Sequence, residues 1–229
     1  MLRARIPVEN FLTRLPLFKG LPGDTIGRLT EGITEIEAPR KTVVARRGDV
    51  CDGLHIVLFG QMKLALQTPK GSEKVVRIAG PRDTFGESEM FLNQKYMVSA
   101  EALSDAKLLH MSKMSVLQAL HGDAEFAQRM LASLSGRLNR LMGEVEGYTL
   151  RTGTQRVIDY LVSLLPKESA LGEISIALPT KKGIIASQLN LTHEHFSRIL
   201  HSLGDSGLIE VKGRTVKILD FQRLRTSAG

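Results

Sequence analysis

The sequence holds a single cysteine, Cys51, in 229 residues. One thiol cannot close an intramolecular disulfide, nor supply an all-cysteine zinc or iron–sulfur site. Long apolar runs are missing as well. None approaches the roughly 20 residues that a membrane-spanning helix needs, and the N-terminus carries no apolar signal core, so a soluble, cytoplasmic protein with no membrane partner is expected. Catalytic constellations are also absent. No nucleophile–base arrangement, phosphate-cradling loop or metal-ligand spacing stands out, and the isolated Asp and Glu residues read as solvated surface, so an enzyme is not expected. Acidic residues are the scarcer charge: 24 Asp and Glu against 31 Lys and Arg leave a formal net charge of +7. From residue 151 onward, eleven Lys and Arg face seven Asp and Glu. The excess favours an anionic partner such as nucleic acid.

What is present is organised around residues 180–203, TKKGIIASQLNLTHEHFSRILHSL. Gly183, Ile184, Ile185, Ala186 and Leu189 give a first short helix small and apolar residues at helical spacing. Asn190-Leu191-Thr192 makes a turn, and Thr192 is suited to cap the next helix because its hydroxyl can accept from an orphan backbone N–H. The second helix begins near His193 and buries Phe196, Ile199, Leu200 and Leu203. His193, Glu194, Ser197, Arg198 and His201 then face outward. A short buried helix followed by a polar-faced one is the helix-turn-helix pattern, whose second helix enters the DNA major groove. Arg198 can meet the N7 and O6 of guanine, and Glu194 can accept from the N4 amine of cytosine. In an arbitrary helix, a glutamate and an arginine four apart are a solvated ion pair. Here the turn and the partner helix favour contact with double-stranded DNA.

Residues 208–219 reinforce that reading. Two apolar-alternating runs flank Lys212-Gly213-Arg214, a tight turn with a cation on either side of the glycine. A basic-tipped hairpin after a recognition helix is the wing of a winged helix, and it suits phosphate.

The rest of the chain divides by texture. Short helical pieces punctuated by Pro16, Gly20, Pro22 and Gly23 occupy residues 8–29. From 33 to about 111, short apolar runs at 42–45, 54–59, 62–66, 74–79, 98–103 and 107–111 alternate with turns, one of them at 68–71. Many short strands at this spacing predict an antiparallel sandwich or jelly roll. A long helix follows over 115–148, interrupted near Gly122-Asp123. Ala127, Leu131, Leu134, Leu138, Leu141, Val145 and Tyr148 repeat at alternating four and three, the seam that lets two helices supercoil into a dimer. The rival reading packs that seam on the chain's own β-domain. Gly136, Gly143 and Gly147 each cost this helix roughly 1 kcal/mol relative to alanine. Residues 151–154 form a hinge, 155–165 a helix stopped by Pro166, and 169–178 a linker and strand.

This order resembles the CRP/FNR family of bacterial transcription regulators over nearly the whole chain. Phe85-Gly86-Glu87 with Met90-Phe91 is similar to the phosphate-binding cassette of cyclic-nucleotide domains, and Glu194-x-x-Ser197-Arg198 to the recognition helix of the FNR branch. Residues 196–207, with Ile218-Leu219-Asp220, look most like the DNR-type, nitric-oxide-responsive regulators. The resemblance implies an α+β chain with an effector-sensing β-roll (1–114), a dimerisation helix (115–150) and a winged helix-turn-helix (151–229). It further implies TTGAT-like palindromes, a homodimer, RNA polymerase as partner and a small-molecule or gas effector.

The departures narrow the effector. Where the family's cyclic-nucleotide site needs arginine followed by serine or threonine, this chain has Tyr96 and Met97, and where cyclic-AMP receptors place two hydroxyl residues on the long helix it has Leu141 and Met142. A buried phosphate without its cation is costly, so cyclic AMP is not expected. A pocket lined by Phe85, Gly86, Glu87, Met90, Phe91, Tyr96, Met97, Leu141 and Met142 would suit an apolar ligand such as haem. The two stretches where DNR-type proteins are associated with haem histidines carry none here, at 13–16 and 187–189. His55, His110 and His121 are the other candidates, though a lone histidine is more often structural. The rival function is a cyclic-nucleotide-domain signalling subunit that regulates a partner protein rather than DNA.

Overall fold

The structure is a computed structural model that describes residues 8–67, 73–165 and 174–227. The turn read at 68–71, and the segment that begins at Pro166, lie outside the described residues. The chain divides into two units, Met1–Asn139 and Arg140–Gly229.

In the first unit, helices α1 (Val8–Leu12) and α2 (Gly23–Glu31) precede strands β1 (Ile33–Ala38), β2 (Val43–Ala45), β3 (Gly53–Phe59), β4 (Met62–Gln67), β5 (Glu73–Ala79) and β6 (Thr84–Phe85). Helix α3 (Glu87–Leu92), strands β7 (Ser99–Ala102) and β8 (Ala106–Ser112), helix α4 (Lys113–Gly122) and the long helix α5 (Ala124–Leu150) follow. The strands form two antiparallel four-stranded sheets, ordered β1-β8-β3-β6 and β2-β7-β4-β5. This is the jelly roll that the spaced apolar runs predict. Strand β3 is buried at five successive positions, from Gly53 to Val57, because other elements cover both of its faces. Gly60, at φ +82°, turns β3 back into β4, and a Cβ there would sit 2.5 Å from the Asp105 carbonyl oxygen, so the turn needs glycine.

The sequence texture shows where the β-region starts but does not single out β1, whose pattern Ile-Thr-Glu-Ile-Glu-Ala alternates imperfectly. It also misses the two-residue β6 and the one-and-a-half-turn α3.

Helices α4 and α5 are separated at Asp123, where the sequence places an interruption. Asp123 has extended backbone (φ −144°, ψ 103°). Its carboxylate accepts from the Phe126 N–H at 3.0 Å and from the Thr25 hydroxyl at 2.9 Å. Both bonds favour the charged form and hold this carboxyl below its usual range, the Phe126 bond most strongly. The break re-aims the chain so that Phe126 and Met130 enter the β-roll core. Phe126 stacks on Phe18 with ring centroids 5.7 Å apart, a contact of about 0.5–1.5 kcal/mol beyond the area it buries.

The second unit holds the last turns of α5, then α6 (Gly153–Ser163), β9 (Ile174–Ala177), α7 (Lys182–Gln188), α8 (His193–Asp205), β10 (Ile209–Lys212), β11 (Thr215–Ile218) and α9 (Phe221–Thr226). The segment read as a hinge opens α6 with a capping box. The Thr152 hydroxyl accepts from the Gln155 N–H at 3.2 Å, and the Gln155 side chain accepts from the Thr152 N–H at 2.8 Å. Strands β10, β11 and β9 form an antiparallel sheet in the order β10-β11-β9. A core of Val157, Leu161, Ile185, Phe196, Leu200 and Val216 joins helices to sheet. Each such side chain contributes on the order of 1.5–3 kcal/mol by leaving water.

Candidate functional site

The turn between α7 and α8 is built from backbone. Leu189 N–H donates to Ile185 O at 2.9 Å, Asn190 N–H to Ser187 O at 3.1 Å and Leu191 N–H to Ala186 O at 2.9 Å. Asn190 takes φ +56°, a left-handed conformation that asparagine tolerates better than most residues. Thr192 caps α8 through its side-chain oxygen, which accepts from His195 N–H at 3.2 Å. Phe196, Ile199, Leu200 and Leu203 are buried, which fixes the rotation of the helix. Thr192, His193, Glu194, Arg198 and His201 are consequently exposed and Ser197 is half-buried.

No ion pair joins Glu194 to Arg198 among the described residues, although each feels the other's charge. Glu194 is held below the ordinary carboxylate range by its own backbone N–H, then by the Thr192 hydroxyl, with smaller contributions from His193 and Arg198. Its donors are those of a helix N-terminus, where negative charge is favoured.

The hairpin of β10 and β11 pairs Lys212 with Thr215 across Gly213 (φ +61°). Its two cations differ. Lys212 is exposed and pairs with Glu210 of its own strand at 2.8 Å. The Arg214 guanidinium instead donates to Leu178 O at 2.9 Å and Pro179 O at 3.1 Å, tying the hairpin to the end of β9.

The residues read as a sensing pocket separate into two groups. Phe85, Glu87, Met90 and Tyr96 are buried in the β-roll around Gly86, and Phe91 is half-buried there. Met97, Leu141 and Met142 are 60%, 53% and 64% exposed, and the last two belong to the second unit. Gly86 takes φ +91°, and a Cβ on it would meet the Gly53 carbonyl oxygen at 3.0 Å and the Tyr96 ring at 3.3 Å. Tyr96 thus packs directly on the cassette turn. Its hydroxyl lies 3.4 Å from His55 Nδ1, and burial followed by the nearby Cys51 raises its pKa, so it stays a neutral phenol.

His55 stacks on Phe85 (centroids 4.7 Å apart, rings within 5° of parallel) and lies 4.9 Å from the His110 ring. Burial, with repulsion from His110, pushes its pKa down to about 3. The Cys51 thiol donates to Gly53 O and Gly86 O, at 3.2 and 3.3 Å, and burial raises its pKa.

His55 does not offer a haem ligand, because it is enclosed between Phe85 and Tyr96. His110 is bonded to Asp52 through Nε2 at 3.1 Å and His121 to the Leu117 carbonyl of its own helix through Nδ1 at 2.7 Å, each through one of its two ring nitrogens. No cluster of three or more His, Cys, Asp or Glu suited to a metal ion occurs among the described residues.

Sequence reasoning leaves Arg137 off the helix seam without a role. In the structure its guanidinium donates to buried Glu87 at 2.7 Å and to Thr84 O at 2.9 Å, and it also meets the Thr84 hydroxyl. The available signal is Glu87 itself, since an acid inside an apolar turn requires a cation. On the seam, Leu131, Leu138, Leu141 and Val145 are 65%, 60%, 53% and 63% exposed, while Leu134 packs against the β-roll core.

A β-roll with a nucleotide-type cassette turn and a winged helix-turn-helix define a DNA-binding regulator. Residues 35–123 match the cyclic nucleotide-binding domain family and residues 155–227 the Crp-like helix-turn-helix domain family. The CRP-like cAMP-activated global transcriptional regulator of Mycobacterium tuberculosis is 24% identical over 223 residues, covering 96% of this chain and 100% of that one. FixK2 of Bradyrhizobium japonicum shares the fold with a TM-score of 0.74 at 23% identity, over 85% of this chain and 96% of that one. DNR of Pseudomonas aeruginosa gives 0.52 at 29% identity, over 98% and 99%. The chain belongs to the CRP/FNR family of DNA-binding transcription regulators. No helix among the described residues is long and apolar enough to cross a membrane.

Proposed function

We propose that the chain works as a cytoplasmic homodimer, not an enzyme, that reads TTGAT-like palindromes in promoters and meets RNA polymerase there. Residues 1–114 would sense a small effector, 115–150 form the dimer helix and 151–229 read DNA. The observation that carries this reading is the face of α8. Glu194, Ser197 and Arg198 project from a capped helix whose opposite side is buried, and among the described residues no ion pair engages Glu194 or Arg198. Four exposed apolar residues on α5 support pairing with a second copy. A two-fold dimer sets its recognition helices about 34 Å apart, so half-site centres fall roughly 10 base pairs apart.

The mycobacterial relative is named as cAMP-activated. Cyclic AMP does not suit this chain. Tyr96, packed on Gly86, stands where the family's phosphate-binding arginine belongs, and Arg137 is already committed to Glu87. An uncharged effector suits the buried surroundings better. Nitric oxide sensed through haem, which the DNR likeness implies, would need a ligand other than the enclosed His55; a haem titration tests this, and a saturable Soret band would place the ligand on His110 or His121. Selection of bound duplexes from a random library tests the main reading. Inverted repeats with the stated spacing are expected. Enrichment of no sequence, alongside regulation of a partner protein, would favour the signalling-subunit alternative.

A further inference from the structure

The last residue of the α5 seam belongs to two structures at once. Tyr148 closes the alternating repeat that Leu141 and Val145 continue, and it is 38% exposed, so part of its ring stays open to a second copy. Its hydroxyl donates to the backbone carbonyl of Gln188 at 2.9 Å. Gln188 is the last residue of α7, the first helix of the helix-turn-helix.

The position of that carbonyl gives the bond its weight. The last four carbonyls of a helix have no partner within it. In α7 the turn's own N–H groups take three of them. Leu189 N–H reaches Ile185 O, Leu191 N–H reaches Ala186 O and Asn190 N–H reaches Ser187 O. Gln188 O is the fourth, and Tyr148 supplies its donor, so the end of α5 completes the cap of α7. From Gln188 the chain runs through Asn190, held at φ +56°, to Thr192, whose side chain caps α8. Tyr148 is itself held by α6, because the Arg156 guanidinium lies 5.7 Å from its ring centroid, within cation–π range. The bend from α5 into α6 is fixed as well. Arg151 N–H donates to Gly147 O at 3.2 Å, the Arg151 side chain pairs with Asp159, and Thr152 opens the capping box.

We infer that Tyr148 is a positioning residue that sets the half-site spacing the dimer accepts. The inference rests on the homodimeric, DNA-reading function proposed above. In a two-fold dimer, the separation and rotation of the recognition helices follow from how each reading unit is fixed to its own α5. The Tyr148 hydroxyl is the fixing point beside the turn, and it makes that register rigid. One base pair added between half-sites rotates one against the other by about 35°. A rigid pair of reading units cannot follow that rotation, and a loosened pair can.

Fluorescence anisotropy with the full-length protein provides the test, on palindromes at the preferred spacing, on the same palindromes one base pair shorter or longer, and on a single half-site. The wild type should lose about tenfold or more when the spacing changes, comparable with a mismatched base pair. Tyr148→Phe keeps the ring over Arg156 and removes only the donor. It should bind the preferred spacing about two- to tenfold more weakly, the worth of one hydrogen bond. It should bind the single half-site as the wild type does, and its loss on changed spacing should shrink to about threefold or less. Placing 4-aminophenylalanine at position 148 restores a donor and should restore the wild-type selectivity. Gln188→Leu keeps the backbone carbonyl and should retain it. Spacing selectivity in Tyr148→Phe as sharp as in the wild type would overturn the inference. So would an equal loss on the single half-site, which would make the bond a support of the reading unit alone. A wild type that recognises single half-sites with no preferred spacing would overturn the inference and leave base reading standing, whereas failure to recognise half-sites would overturn the underlying reading too.

Discussion

Arg137 of the long helix and Glu87 of the cassette turn form an ion pair of 2.7 Å in which the carboxylate is almost fully buried (4% exposed) and the guanidinium largely so (20%). It joins α5 to the cassette turn, so that the helix and the turn are physically linked. Arg137→Ala leaves the carboxylate buried without a counter-charge, a loss of about 3–5 kcal/mol. Glu87→Gln with Arg137→Met should recover much of it. Urea denaturation of the four combinations measures the coupling. Additive losses would show that the pair carries no linkage.

Leu138 is 60% exposed in the single chain, so Leu138→Glu should leave the fold intact while placing two carboxylates in the seam of a dimer. Self-association should weaken by at least about 100-fold, from the cost of burying unpaired charge. Sedimentation velocity across a dilution series reads this. An unchanged dimer would move the interface elsewhere.

His55 gives the stability curve a sign. Its folded pKa of about 3 lies below the ordinary histidine value of 6.5, so between those values the unfolded chain binds a proton that the folded one refuses. Stability therefore falls as pH drops from about 6.5 towards 3, with a slope on the order of 1 kcal/mol per pH unit from this group. His55→Phe should flatten that slope in thermal melts at pH 7, 6, 5 and 4. An unchanged slope would show that His55 is protonated in the fold.

The wing cations should separate. Lys212→Ala, from an exposed side chain, should weaken binding to all duplexes alike and reduce the salt slope by about one. Arg214→Ala removes hydrogen bonds to Leu178 and Pro179, so it should lower the melting temperature as well. Equal melting temperatures for the two variants would contradict the structural role of Arg214.

The helix-turn-helix is legible in the sequence because each cue is local: Thr192 as cap, Phe196 to Leu203 as apolar face, and Gly213 in a tight turn. The break at Asp123 is legible for the same reason. Partners distant in sequence are not. Nothing in the spacing of Arg137 reveals Glu87, fifty residues away. Nothing near Arg214 announces the carbonyls of 178 and 179. Burial is less legible still. The family resemblance groups Phe85, Tyr96, Met97, Leu141 and Met142 as one apolar lining, whereas exposure in the single chain depends on tertiary packing and leaves Met97, Leu141 and Met142 exposed.

The central claim is that α8 reads bases through Arg198 and Glu194. Fluorescence anisotropy at fixed salt, with wild type and Arg198→Ala on a TTGAT palindrome and on the same duplex with the guanine pair exchanged, tests it most directly. The account predicts that the wild type prefers the palindrome by about 1–3 kcal/mol per altered half-site and that Arg198→Ala loses that preference while retaining non-specific binding. Equal losses on both duplexes would make Arg198 a phosphate contact and contradict base readout.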